Sequence, residues 1–502
     1  MRNAPIIPNW ITYGILLIAA FLFVFLFSCT TSPLYEHHPF WFHGDSGIFQ
    51  EMGVCLAQGG TPYLDLFDHK GPILWFIQAL GILISPRWGI VILQTLFLYV
   101  TLILWYKSVH ILTQRQIASL LISFLGLFFL MAFCQRGNLC EEWSLPFISL
   151  PIFLYVNRWR TNSSYKHLDS FVIGLCVGVL AMIRLNNTAP IIGFVLWHFI
   201  YCIKAKEYKR LWIDIALICC GIAIVLFVCS AFYFIKAGWN GVYEMFYGTF
   251  IFNLLYFGDK QQQPFISLLQ HYIIPVAFLF IALIPLFYSK EKSRLCIPCI
   301  ISYVVTLFAI GSFEFWHYMM VFIPLFVLTS GLTIHGKKIC GYILLGCIIV
   351  FSGFIGYDAA DVLLFRLRGK KANTEINDGF HHFVSSIPLK ERKSIYNAGL
   401  NHLGAGLFAA ENIYQCNRII YKGHTDISKR LQDYEATHGI KDLRPIWVLT
   451  QSPRPKATDE FMQTNYTLAD SIPGGEFNPI WCWKKNGEYE LLKSNKCHSY
   501  NS

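Results

Sequence analysis

His43-Gly44-Asp45-Ser46-Gly47-Ile48-Phe49 and, a little further on, Pro62-Tyr63-Leu64-Asp65-Leu66-Phe67-Asp68-His69-Lys70-Gly71-Pro72 decide how this chain is read. Together with Glu51 between them, the two stretches hold Asp45, Glu51, Asp65, Asp68, His43, His69 and Lys70. They follow directly on an apolar run at about 10–30. Their surroundings are greasy: only 14% of the chain is charged and 55% is hydrophobic. Charges beside hydrocarbon are costly to desolvate. A dense group of them after a first apolar helix therefore points to chemistry at a membrane surface.

Working outward, further apolar runs recur through residues 1–356, most of them long enough to cross about 30 Å of hydrocarbon. The mean hydropathy of +0.47 and the 43 Phe exclude an ordinary soluble chain. The net charge of +10 does not indicate nucleic acid, because much of the Lys and Arg excess lies in short loops between apolar runs. Most of the 16 Cys lie inside apolar runs, where a thiol packs as a small hydrophobe. The run at 10–30 reads as a retained signal-anchor helix, being too long for a cleaved signal core.

Topology follows from the basic loops. If 71–84 crossed the membrane, the loops Lys107–Arg115, Arg158–Lys166, Lys204–Arg210, Lys290–Arg294 and Lys337-Lys338 would all face outward, against the positive-inside rule. With 45–59 and 71–84 read as amphipathic helices on the membrane surface, all five turn cytoplasmic. Eleven spans result, at about 10–30, 87–106, 116–134, 144–157, 170–186, 188–203, 211–235, 267–288, 295–311, 317–334 and 339–356. The N-terminus is then cytoplasmic and the first loop, 31–86, external. The external edges collect Glu141, Glu142, Glu244, Asp259 and Glu314 beside the first-loop acids.

From about 357 to 502 the composition changes. Short apolar strands such as Ser394-Ile395-Tyr396 and Ile446-Trp447-Val448-Leu449 alternate with helical stretches near 402–411 and 426–437. Trp481–Lys484 and Glu488–Leu492 read as a hairpin around Asn486-Gly487. The fold class expected is a polytopic α-helical membrane domain, 1–356, followed by an extracytoplasmic α/β domain, 357–502.

The first loop resembles that of the GT-C glycosyltransferases, the protein mannosyltransferases and bacterial aminoarabinose transferases among them. The resemblance rests on Asp45 early in the loop, the turn Gly59-Gly60-Thr61-Pro62-Tyr63, and Asp68-His69-Lys70-Gly71-Pro72 ahead of a second helix. Gly71 departs from that group's double proline, and Ser46 leaves the mannosyltransferase Asp-Glu pair incomplete, which favours a bacterial relative. About thirty residues carry the specific motifs. The resemblance implies a membrane glycosyltransferase that moves a sugar from a polyprenyl-phosphate donor to a lipid-linked glycan, cell-wall polymer or lipid acceptor on the extracytoplasmic face. A single inverting displacement is implied.

Such chemistry needs a base for the acceptor hydroxyl and charge for the departing phosphate. Asp45 is the expected base, a role compatible with capping its helix. Lys70 and Arg184 are expected to hold the donor phosphate jointly, Lys70 near a helix N-terminus and Arg184 at the external end of a span. Snorkelling to the interface is the plain alternative for both. Asp65 reads as a turn residue. Asp68 and His69, with Glu141 or Glu142, could hold a divalent metal ion, the one cofactor that the residues admit. By resemblance, Glu141 or Glu142 would face the first-loop Asp, and His317 would line the same cavity. Membrane lipids are the remaining expected partner.

Two other classes compete. An O-antigen polymerase or ligase would place its charged loop late in the chain. A lipid-linked glycan flippase or transporter would bury charges mid-span and carry an internal repeat. This chain has its richest loop first, charges near span ends and no repeat.

Overall fold

The computed structural model describes residues 7–28, 44–134, 137–161, 167–259, 283–284, 292–310, 316–335, 363–365, 367–370, 374–451, 459–474 and 478–487. The apolar runs form helices α1 (Asn9–Phe27), α4 (Gly89–Thr113), α5 (Gln116–Phe133), α6 (Cys140–Thr161), α7 (His167–Ala181), α8 (Ala189–Lys204) and α9 (Tyr208–Phe246). After α10 (Phe252–Asp259) come α11 (Ile297–Ile310) and α12 (Ile323–His335). Among the described residues, three stretches are long and apolar enough to cross a membrane: Asn9–Phe27, Gly89–Thr113 and the helical run Tyr208–Tyr256. The short span expected at 144–157 is the 22-residue α6, with Pro146 and Pro151 inside it. The tight turn before α8 is a 3-10 turn, Leu185–Thr188. Inside α9 the chain leaves helical geometry at Ala237 and Gly238. The spans expected at 267–288 and 339–356 lie outside the described residues apart from 283–284, as does Glu314.

The chain forms two compact units. Unit 1 is Met1–Ser28, Leu93–Cys229 and Lys260–Leu363; unit 2 is Cys29–Ile92, Ser230–Asp259 and Leu364–Ser502. The composition boundary near 356 thus differs from the packing boundary, because the first loop packs with the tail.

In unit 1, α8 packs along α11, α6 along α7, and α5 along α12. Small residues allow these approaches. A Cβ on Gly193 of α8 would lie 2.3 Å from the Pro298 carbonyl oxygen. Gly193 instead donates its N–H to Ser302 Oγ at 3.1 Å.

In unit 2 the first loop supplies α2 (Gly44–Ala57) and α3 (Pro72–Ile84). Pro72 starts α3 because its fixed φ suits a first helical position that needs no N–H donor. Gly53 lets α2 lie against α3, since a Cβ there would be 2.5 Å from Gln78 Cβ. The other side of α2 is covered by α14 (Asn401–Ala410), which follows α13 (Thr374–Ser386). Every residue from Ser46 to Cys55 is buried as a result. This corrects the expectation of an amphipathic surface helix at 45–59: α2 has no open face along those residues. Helix α3 does keep one, exposing Leu80, Leu83 and Ile84.

The tail also builds a four-stranded sheet of order β1-β2-β4-β3, from β1 (Ile395–Ala398), β2 (Trp447–Thr450), β3 (Tyr466–Ile472) and β4 (Ile480–Lys485). β1 runs parallel to β2, while β4 pairs antiparallel with both β2 and β3. The expected closing hairpin is therefore corrected. β4 takes β3 as its hairpin-side neighbour, and 488–492 lies outside the described residues. Phe380, Phe383, Phe408 and Trp447 fill the core against α13 and α14. Two short helices, α15 (Gly423–Ile427) and α16 (Lys429–Thr437), lie between β1 and β2 in sequence.

Candidate active site

The cluster in unit 2 begins with a turn that depends on two glycines. Gly59 has φ +92, and a Cβ on Gly60 would meet Cys55 Sγ at 2.5 Å. Asp65 Oδ2 accepts the Thr61 N–H at 2.6 Å, which agrees with a turn role for Asp65. Tyr63 is fully buried at φ 70. Its hydroxyl donates to the Lys70 carbonyl oxygen at 2.6 Å. Its ring lies so close to Gly248 that a Cβ there would be 2.6 Å from Tyr63 Cδ1.

Phe67 donates its N–H to the Arg418 carbonyl oxygen at 2.8 Å, tying the next residues to the tail. Asn253 Nδ2 donates to the His69 carbonyl oxygen at 2.8 Å. Arg418 also reaches Glu244 at 2.7 Å, and Arg430 bonds the other oxygen of the same carboxylate. The His69 and Lys70 carbonyls are thus held by Asn253 and Tyr63, and the preceding Phe67 by the tail.

The side chains continue this order. Lys70 Nζ donates to His69 Nε2 at 2.9 Å, and Lys70 is buried. That direction places the His69 proton on Nδ1, which donates to His424 Nε2 at 3.1 Å. The His424 proton is then on Nδ1, a buried atom with no hydrogen-bond partner among the described residues. Asp68 Oδ1 lies 3.6 Å from His69 Nδ1 and 3.7 Å from His424 Nε2. Burial pulls His424 down to about 4; Asp68 opposes this, and the Lys70 and His402 charges reinforce it. Asp45, in the first turn of α2, is near enough to act on the His424 charge.

Asp68, His69 and His424 offer ligand atoms within 4.8 Å of one another. The donor types suit a divalent cation. The Lys70 ammonium, already bonded to His69, competes with one electrostatically. Glu141 and Glu142, expected as further ligands, belong to unit 1.

Within unit 1 the structure brings Glu141, Arg184 and His317 together. Arg184 donates from NH1 to Glu141 Oε1 at 2.5 Å. His317 Nε2 lies 3.9 Å from Glu141 Oε2, and the Arg184 guanidinium stacks 4.1 Å from the Tyr318 ring centroid. Glu141 is 43 residues from Arg184, so no local spacing in the sequence marks the pair. Glu142 does something else. It accepts the Asn138 N–H at 2.6 Å and the Gln94 amide at 3.1 Å, closing the turn before α6. Arg184 and Lys70 belong to different units.

Two residues escaped sequence reading. His424 is 355 residues from His69, and a lone tail His carries no spacing signal. Glu51 was counted only as an external acid. It is fully buried on α2, with Oε1 accepting the Gln415 N–H at 2.9 Å and Oε2 without a hydrogen-bond partner among the described residues. Burial pushes Glu51 up to about 8, although that bond pulls it down.

Comparison with known proteins places this geometry in context. The chain resembles ArnT from Cupriavidus metallidurans bound to undecaprenyl phosphate at TM-score 0.55 and 11% identity, covering 94% of this chain and 98% of that one. The apo state of ArnT gives 0.56 at 10% identity, with the same shares covered. The Archaeoglobus fulgidus oligosaccharyltransferase tethered to an acceptor peptide gives 0.48 at 10% identity, over 88% of this chain and 70% of that one. At such identities the ArnT likeness is one of fold alone. No curated protein matches the chain in sequence. Residues 17–340 match the family model described as "Putative competence-induced protein Ccs4 N-terminal domain". That match takes in more than half of the chain, which belongs to the family of the competence-induced protein Ccs4 N-terminal domain.

Proposed function

We propose that this chain is an integral membrane glycosyltransferase that moves a sugar from a polyprenyl-phosphate donor to a glycan, cell-wall polymer or lipid acceptor on the extracytoplasmic face. The observation that carries this reading is the buried cluster of Lys70, His69, His424 and Asp68 near Asp45. Its cation and its unpartnered Nδ1–H are suited to an anionic oxygen. The fold likeness to ArnT bound to undecaprenyl phosphate supports a polyprenyl phosphate as the anion.

In the proposed reaction Asp45 takes the proton of the acceptor hydroxyl. The hydroxyl oxygen attacks the anomeric carbon as that carbon's bond to the phosphate oxygen breaks. The bonding pair leaves with the polyprenyl phosphate, and Lys70 stabilises its growing charge. One displacement inverts the anomeric centre. Arg184 is proposed as an anion-binding group of unit 1, and Glu141 and His317 set its position. Lys70 supplies charge that would otherwise call for a metal.

The Lys and Arg asymmetry supports a cytoplasmic N-terminus and an external tail. Cysteine labelling in the loop Lys107–Arg115 should require permeabilised cells; labelling from outside would invert this topology. For the reaction itself, undecaprenyl phosphate should bind the detergent-purified chain. Asp45→Asn should retain that binding and lower sugar transfer in membranes by at least about a hundredfold. Near-normal transfer by the variant would remove Asp45 as the base. Failure of the unmodified chain to bind would remove the donor class.

A further inference from the structure

A second cluster lies in unit 1 and plays no part in the proposed reaction. His198 and Cys202 are four residues apart on α8, so they share one face of the helix. The chain turns through residues 205–207 and enters α9, which carries Asp214 back alongside them. His198 Nε2 lies 2.8 Å from Asp214 Oδ2 and 3.7 Å from Cys202 Sγ. Cys202 and Asp214 are fully buried and His198 nearly so.

We propose that His198, Cys202 and Asp214 bind a divalent transition metal of the zinc class, linking α8 to α9. A thiolate, an imidazole and a carboxylate together favour such an ion over magnesium or calcium. All three ligand atoms lie within 4.8 Å of one another. Tetrahedral zinc with ordinary bond lengths separates its ligand atoms by about 3.3–3.6 Å. The sulfur–nitrogen spacing is already close to that, and the nitrogen–oxygen spacing must open by about 0.5 Å. His167, at the start of α7, approaches the other Asp214 oxygen at 3.4 Å. It thereby leaves Oδ2 for the ion, as outer partners of ligating carboxylates do. The His167 side chain is 53% exposed, which gives an ion a route from solvent.

The same geometry makes a demand that a plain ion pair does not. Arg158 NH1 lies 3.4 Å from His198 Nδ1, so without metal Nδ1 accepts and Nε2 donates to Asp214. Metal on Nε2 requires the ring proton on Nδ1, where it faces the Arg158 donor. Binding also sends the thiol proton of Cys202 to solvent. Arg158 therefore opposes the ion, whereas a glutamine there would accept the Nδ1–H. Arg210, 3.8 Å from Asp214 Oδ2, is already engaged with Glu207 at 2.6 Å.

The test is cobalt titration of the chelator-stripped, detergent-purified full chain, followed by zinc displacement. Cobalt should produce a thiolate-to-metal charge-transfer band that zinc abolishes. Cys202→Ala should elute normally on size exclusion and lack the band. Arg158→Gln should tighten cobalt binding by about tenfold, the scale of an outer-partner effect. The Asp68, His69 and His424 group contains no sulfur and cannot produce the band. Metal uptake without the band, a band that survives Cys202→Ala, or unchanged affinity in Arg158→Gln would overturn the site.

Discussion

In unit 2 the carboxylate of Asp68 stands against Lys70, His69 and His424; in unit 1 that of Glu141 stands against Arg184, with His317 further off. The difference lies in what each cation would give up for a phosphate. The Lys70 ammonium is bonded to an imidazole nitrogen, a neutral acceptor when His69 carries one proton. Arg184 is bonded to a buried carboxylate at 2.5 Å and stacked on Tyr318. The described bond of the Lys70 ammonium is to an imidazole, whereas an anion reaching Arg184 must compete with a bonded carboxylate. Lys70 should therefore matter most to ligand binding and Arg184 most to folding.

The largest effect should be on affinity. Lys70→Ala should weaken undecaprenyl-phosphate binding by about a hundredfold, the upper range for a charged hydrogen bond, with little change in thermal midpoint. An equal loss of affinity in Arg184→Ala would erase the contrast. Next, Arg184→Ala should cost about 2 kcal/mol of stability, below the full buried-pair value because the Arg184 side chain is 18% exposed. Adding Glu141→Gln should recover most of it, since the neutral amide no longer needs a cation. A double variant no more stable than the single would show that the pair is not what Arg184 holds together.

The smallest effect is a slope with pH, and it extends the contrast to a carboxylate with no cation bonded to it among the described residues. Glu51 keeps its proton up to about 8 when folded, against an ordinary 4.5. Between those values the unfolded chain binds fewer protons, so stability falls as pH rises and levels off above about 8. Glu51→Gln should flatten that fall and melt higher than the unmodified chain near pH 8. A melting curve with the same pH slope in both would mean that Glu51 is ionised in the fold.

Sequence alone made the first-loop cluster legible because Asp68, His69 and Lys70 are consecutive and stand out from apolar neighbours. The helices at 44–57 and 72–84 were legible for the same kind of local reason: Gly, Asp and Ser at one start, Gly-Pro at the other. Long-range partners left no such trace. The pairing of Arg184 with Glu141 depends on α6 and the end of α7 meeting, and His424 joins His69 only through the folding of the tail. Glu141 and Glu142 looked interchangeable, yet adjacent helix positions point about 100° apart, so one meets Arg184 and the other caps its own turn. The burial of α2 left no local mark, because a helix that carries Gln50 and Glu51 can equally turn that face to solvent. That face is occupied by α14 and the segment around Gln415.

Tyr63 has an evolutionary consequence. A side chain at φ 70 costs about 1–3 kcal/mol, and a glycine would relieve it. The hydroxyl that steadies the Lys70 carbonyl would vanish with that change. Replacing Tyr63 thus exchanges a placed lysine for an easier backbone, so drift toward a sturdier loop is drift away from an ordered charge. Gly248 is bound to the same choice, because its missing side chain is the space the Tyr63 ring fills. The two positions, 185 residues apart, should change together or not at all.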